Sequence, residues 1–136
     1  MSTQKVALVT GANRGLGFEI SRQLAQQGIT VLMGARRIDQ GETAAQSLRG
    51  EGLNVRAVKL DVTSTNDIEQ LSRQIELEFG KLDVLVNNAA VLIDMNVPPS
   101  EMAEETLRQS FEVNFFGPYL LTQEMAPMLR KSGHGR

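Results

Sequence analysis

Short apolar runs alternate along this chain with stretches in which apolar residues recur every three or four positions, a pattern that predicts strands alternating with helices around a parallel sheet. Residues 6–10 form the first predicted strand. A helix follows over residues 15–27, with Leu16, Ile20 and Leu24 on one face and Gly28 ending it. Residues 30–36 are the second strand, and residues 40–50, carrying Ala44, Ala45 and Leu48, form a more polar helix. The third strand covers residues 54–60. Ser64 then reads as the N-cap of a helix bearing Ile68, Leu71, Ile75 and Phe79, closed by Gly80. Residues 82–86 are almost wholly apolar, as expected for a strand covered on both faces. Pro98, Pro99 and Ser100 punctuate a loop, after which a long helix is predicted over residues 101–131. Without an internal repeat, low-complexity tract or linker, residues 1–136 read as one unit of structure.

Composition narrows the partners. With 136 residues and 41% hydrophobic positions the chain can bury one sizeable core. Its net charge of -2 supplies no basic stripe for nucleic acid and no polybasic segment for a membrane surface. The absence of cysteine excludes disulfides and a thiolate zinc site, and His134 alone cannot make a histidine site. No apolar run is long enough to cross a bilayer and no leader precedes the first strand, so a cytoplasmic location is expected.

The turn after the first strand carries the sharpest chemical signal: Thr10-Gly11-Ala12-Asn13-Arg14-Gly15-Leu16-Gly17. Gly11 permits a tight strand-to-helix turn, Gly15 lets backbone approach a pyrophosphate, and Gly17 lets the helix pack closely on the strand. The helix N-terminus then offers free N–H groups to an anion. A strand before these glycines and an amphipathic helix opening within them are what a dinucleotide site requires.

This spacing resembles the TGxxxGxG fingerprint of the short-chain dehydrogenase/reductase family, and further matches follow in order. Asn87-Asn88-Ala89-Ala90 is similar to its NNAG motif, with Ala90 replacing the last glycine; Asp61-Val62 resembles its adenine-contacting pair; Val113-Asn114-Phe115-Phe116-Gly117 resembles the segment bearing its catalytic Asn. The wording around Gly11 and Asn114 is similar to carbonyl reductases of that family. The resemblance implies an α/β, Rossmann-type doubly wound parallel sheet in the order 3-2-1-4, stopping before the fifth strand, with the groove where that order reverses. It also implies a small carbonyl or alcohol substrate, and homo-oligomers built through the long helix when the protein is full length.

Taken from the residues alone, Asp61 either caps the next helix or meets a ligand, and Asn88 either cross-links strands or lines a site. In the family the two roles of the NNAG segment coexist, its first Asn bracing the sheet and the residues that follow, here Asn88, Ala89 and Ala90, lying under the adenosine ribose. Cofactor choice is argued from charge. The end of the second strand, where an NAD-binding fold places a carboxylate, reads Ala35-Arg36-Arg37. A guanidinium there holds a 2′-phosphate that a carboxylate would repel, and Arg14 approaches from the glycine turn, so NADP(H) is expected and NAD(H) disfavoured. Arg37 can equally be solvated, and Asp39 lies too late to accept from a ribose.

Family catalysis rests on a Tyr-x-x-x-Lys pair and a Ser, with an Asn completing a proton relay. The one tyrosine, Tyr119, has Gln123 four residues on, so the only catalytic counterpart in the chain is Asn114. Pro118 cannot donate to the Asn114 carbonyl, which predicts a distortion at residues 114–118 with Asn114 facing the groove beyond strand four. Strand four is expected to stand as an apolar edge with unpaired backbone groups, open to association. Two functions follow: the cofactor-binding part of a carbonyl-reducing enzyme, inactive by itself, or a dinucleotide-binding module without catalysis.

Overall fold

The computed structural model describes residues 4–93 and 96–136. Four parallel strands, β1 (Val6–Val9), β2 (Thr30–Ala35), β3 (Val55–Lys59) and β4 (Val84–Val86), are ordered β3-β2-β1-β4. This is the order expected. Alternation along each strand divides the core between the two faces of the sheet. Val6 and Leu8 of β1 point toward the face covered by α3 (Thr65–Glu78) and α5 (Gly117–Ser132), where they meet Ile68, Leu71, Ile75, Leu121 and Met125. Ala7 and Val9 point to the other face, where α1 (Gly15–Gln26) and α2 (Ile38–Arg49) bring Ala25, Ala44, Ala45 and Leu48. The small residues on this side let the two helices lie close to the strands.

The helix starts and stops follow their local chemistry. Ser64 caps α3 by accepting from the Asp67 N–H at 3.1 Å. Gly28 leaves α1 at a φ of 83°. α2 begins earlier than its alanines suggested because Arg37 serves as its extended N-cap residue. The long C-terminal helix is the largest departure from expectation. It consists of a short 3₁₀ turn at Pro99–Glu101, α4 (Glu104–Phe111), a π-helical turn at Glu112–Phe116, and α5. The break at Pro118 is therefore a π turn just before it, with the Gly117 N–H reaching back to the Glu112 carbonyl. Pro127 lies within α5 without ending it.

β4 also differs from expectation. It is shorter than the apolar run and only half-buried, and its outer edge is not wholly unpaired. The Arg136 N–H donates to the Asp83 carbonyl at 3.0 Å, and the Leu85 N–H donates to the Arg136 carbonyl at 2.8 Å. Gly133, at a φ of 78°, turns the chain out of α5 toward that edge.

Asp83 ties the base of the sheet together. Its carboxylate is buried and accepts from the Val6 N–H at 2.8 Å, from Ser132 Oγ at 2.6 Å and from Lys81 Nζ at 2.9 Å. Burial raises its pKa, but the bonds from Ser132, Val6 and Lys81 outweigh this and hold it below the ordinary carboxylate value. Because the folded-state value is the lower one, the stabilisation is complete above the unfolded carboxylate pKa of about 3.9 and is lost as pH falls through the folded value. Urea midpoints should therefore stay level from neutral pH to about 5 and fall below about 4. Asp83→Ala should cost about 2–3 kcal/mol at pH 7 and shallow that acid limb. An acid limb of unchanged steepness in the variant would remove Asp83 from this role.

Candidate functional site

The carboxyl ends of β1 and β4 open on a cleft of about 1320 Å³, at the point where the strand order reverses. Gly11, Asn13, Arg14 and Gly15 line it from the turn after β1; Arg36 and Arg37 from the end of β2; Asp61 and Val62 from the end of β3; Asn88, Ala89 and Ala90 from the end of β4. Sequence-distant positions thus meet because parallel strands all deliver their carboxyl ends to one edge. Leu16 and Gly17 do not line the cleft: Leu16 projects into solvent and Gly17 is buried beneath the turn.

The turn is held from below. Gly11 and Gly15 adopt φ values of 58° and 59°, the left-handed region that glycine tolerates. A Cβ on Gly17 would collide with the Gly11 carbonyl oxygen and with Asn88 Nδ2. Asn88 uses that space. Its Nδ2 donates to the Thr10 and Gly11 carbonyls, each at 3.1 Å, and its N–H donates to Thr10 Oγ1 at 2.9 Å. Thr10 Oγ1 also accepts from the Ala89 N–H at 2.8 Å. Asn88 therefore does both things the sequence left open, bracing β1 against β4 while lining the cleft. The hydroxyl of Thr10, the residue that opens the glycine motif, is the other half of this brace.

The start of α1 lacks a side-chain cap, because its N-cap residue is Arg14, so its first-turn N–H groups have no side-chain acceptor where Gly15 lines the cleft. Arg14, Arg36 and Arg37 are exposed, and their side chains have no ion pair or hydrogen bond among the described residues, whereas Arg22, Arg49 and Arg56 are all paired with glutamates. Among the residues that line the cleft at the end of β2 there is no carboxylate; Asp39 is not one of them, and Gln40, unremarked in the sequence, lines the wall instead.

Asp61 does not cap α3, which Ser64 caps. Its Oδ1 accepts from the Thr63 N–H at 2.9 Å and from Thr63 Oγ1 at 2.7 Å. The Asp61 N–H donates to the buried Asp67 Oδ2 at 2.9 Å, which also takes Lys59 Nζ at 3.0 Å. Burial raises the Asp67 pKa, but the Asp61 N–H, Lys59 and Ser64 together hold it below the ordinary value.

Asn114 lies apart from this cleft, in a second groove beside Asn87, Pro118, Tyr119 and Thr122. Its side chain pairs with the backbone of Val91, Oδ1 accepting from the N–H and Nδ2 donating to the carbonyl, both at 2.8 Å. The π turn is thereby tied to the segment leaving β4. The last wall of the main cleft is α4 with the start of the π turn: α4 contributes Glu104 and Glu105, the turn contributes Glu112, and Arg108 is paired to Glu104 at 3.2 Å. In sequence these are ordinary helix-surface charges, and nothing in their spacing distinguishes them.

Comparison with known proteins agrees with this fold. The family model described as short chain dehydrogenase matches residues 5–136. Carbonyl reductase 1 (NADPH) of Mus musculus is 39% identical over 135 residues, covering 97% of this chain and 47% of that protein. Carbonyl reductase 3 (NADPH) of Homo sapiens is 41% identical over 138 residues, covering 99% and 48%. Among solved structures, an actinorhodin polyketide ketoreductase with NADPH superposes with a TM-score of 0.90 at 34% identity, covering 100% of this chain and 53% of that one. The chain thus spans about half the length of these relatives.

Two glycine substitutions separate packing from conformation. Gly17→Ala inserts a methyl where backbone and Asn88 already stand and should cost roughly 2–3 kcal/mol. Gly15→Ala meets open space and only the positive φ, which should cost about 1 kcal/mol. Chemical denaturation of both variants measures the difference; equal losses would mean that Gly17 is not a packing constraint.

Proposed function

The chain belongs to the short-chain dehydrogenase family of oxidoreductases, and on that footing we propose that it is the cofactor-binding part of an NADP(H)-preferring enzyme that interconverts small carbonyl compounds and alcohols. One observation carries the cofactor preference: three guanidiniums without partners stand around a cleft whose β2 corner lacks a carboxylate. A guanidinium binds a phosphate in two-pronged fashion, and leaving three of them idle on a folded surface favours a polyanionic ligand. The printed names of the mouse and human reductases and the NADPH of the ketoreductase structure support the same preference.

In this reading the pyrophosphate lies at the uncapped start of α1, the 2′-phosphate between Arg14 and Arg36, and the adenosine between Asp61, Val62 and the Asn88-Ala89-Ala90 segment. Arg37 adds charge at the rim. When bound, the nicotinamide supplies or receives the hydride. The chain's own residues orient it: Asn88 and Thr10 keep the glycine turn at fixed height above the sheet, and close packing of α1 excludes water beneath it. Asn114 holds the segment after β4 through Val91, and Pro118, four residues on, brings no N–H to its carbonyl. That carbonyl is the proposed station for a relayed proton.

Homo-oligomer formation through the α4–α5 face is supported by the exposed Phe111, Phe115, Phe116 and Tyr119. No helix among the described residues is long and apolar enough to cross a membrane; the proposed setting is the cytoplasm.

The test is a pair of titrations. NADPH should bind at least about tenfold more tightly than NADH, the worth of one charge-assisted contact. Arg36→Asp should reverse the order. Equal affinities in the unaltered chain would defeat the assignment of the arginines. The same chain should bind NADPH without oxidising it against any aldehyde or ketone, because it supplies no Tyr-x-x-x-Lys proton donor. Steady turnover by the purified chain would overturn that part.

A further inference from the structure

The cleft carries a fourth guanidinium, on a different wall from the other three. Arg108 stands on α4, and its one partner among the described residues is Glu104, one helical turn before it, at 3.2 Å. The pair is open to solvent, with 76% of the Arg108 side chain and 80% of the Glu104 side chain exposed. Such a pair on a helix surface shifts an equilibrium by only about twofold, because water screens it and two long side chains must be held in one geometry. α4 buries no residue, so packing does not fix this wall against the sheet. The cleft, at about 1320 Å³, is also wider than the roughly 300–1,000 Å³ of most ligand pockets, which leaves room beside a bound ligand for a long side chain to turn inward. Arg108 is the only cation of this wall among the described residues; Glu105 and Glu112 line it as well.

We propose that Arg108 is a specificity-determining residue for the phosphorylated dinucleotide: on binding it exchanges Glu104 for the 2′-phosphate, and Glu104 is the competitor that the phosphate displaces. The inference rests on the NADP(H) reading above and extends it to a helix that none of the cofactor motifs reaches. Carboxylate and phosphate offer a guanidinium the same two-pronged geometry, but the phosphate brings nearly two charges and a third oxygen. A charge-assisted contact of that kind is worth roughly tenfold or more in affinity, against about twofold for the exposed pair, so the exchange runs toward the ligand. The pyrophosphate is met by the first-turn N–H groups of α1, and the phosphate with oxygens to spare is therefore the one on the ribose. A dinucleotide with a free 2′-hydroxyl presents a neutral acceptor instead, and Arg108 then stays with Glu104.

Affinities for NADPH and NADH are measured by dihydronicotinamide fluorescence for the unaltered chain, Arg108→Gln, Glu104→Gln and the double variant. Arg108→Gln should weaken NADPH binding about tenfold and leave NADH unchanged. Glu104→Gln should strengthen NADPH binding about twofold, and in the Arg108→Gln background it should gain nothing. Thermal melts of the unliganded variants check the fold, which these exposed positions should leave intact. If Arg108→Gln weakens both dinucleotides alike, Arg108 meets a part common to the two; if it changes neither, Arg108 is a surface residue. Each result overturns the proposal. So does a gain from Glu104→Gln that is the same with and without Arg108, since the two would then be independent surface charges. An NADPH preference that survives Arg108→Gln in full leaves the cofactor reading standing without this residue, whereas equal binding of NADPH and NADH by the unaltered chain defeats that reading itself. Binding of neither overturns both.

Discussion

The amide of Asn88 occupies the space that the missing side chain of Gly17 leaves, and the rest of the site depends on that fit. From there Nδ2 reaches the carbonyls of Thr10 and Gly11 at once, so the end of β1 and the turn above it are fixed to the end of β4. Thr10 closes the arrangement by accepting two N–H groups from the β4 side. Buried amides and backbone N–H groups demand partners, and here the demand is met just beyond the β1–β4 ladder, at the place where the sheet reverses its order. The glycines above are free to adopt left-handed conformations because they do not also have to hold the strands together.

Two carboxylates play a comparable part away from the cleft. Asp83 gathers the start of β1, the end of α5 and Lys81 at the base of the sheet. Asp67 gathers Lys59, the Asp61 backbone and the cap of α3 near its top. Both are buried and both are held in their charged form by more than one donor. Each therefore fixes a connection that apolar contact alone leaves loose, since hydrophobic packing is without direction.

The strand order and most of the cleft were legible in the sequence because the signals involved are either periodic or tied to backbone geometry. Apolar alternation located the strands, and Gly11, Gly15 and Gly17 marked the turn through conformational and packing demands no other residue meets. Polar side chains whose role depends on what the fold brings beside them were less legible. Thr63 and Gln40 are common polar residues, and their spacing does not reveal that both line one cleft, while the motif that contains Thr10 does not show that its hydroxyl accepts two N–H groups from beyond β4. The C-terminal helix misled for a related reason: Leu107, Phe111 and Phe115 fall at helical intervals straight through a π turn, and only Pro118 hinted at it. The shortness of β4 was hidden because an apolar run does not record how many neighbours will cover it.

The π turn at Glu112–Phe116 also sets the phase between the helices it joins. Each residue of an α-helix advances the face by about 100°, so the additional residue of a π turn rotates everything upstream by that amount relative to everything downstream. α5 keeps Leu121, Met125 and Met128 against the sheet, while α4 presents Glu104 and Glu105 to the cleft and contributes no buried residue to the core. Loss of one residue from that turn would leave α5 seated as before but swing α4 around by more than a quarter revolution. The wall of the cleft and the core of the fold can thus diverge independently, with a single insertion or deletion as the step between them.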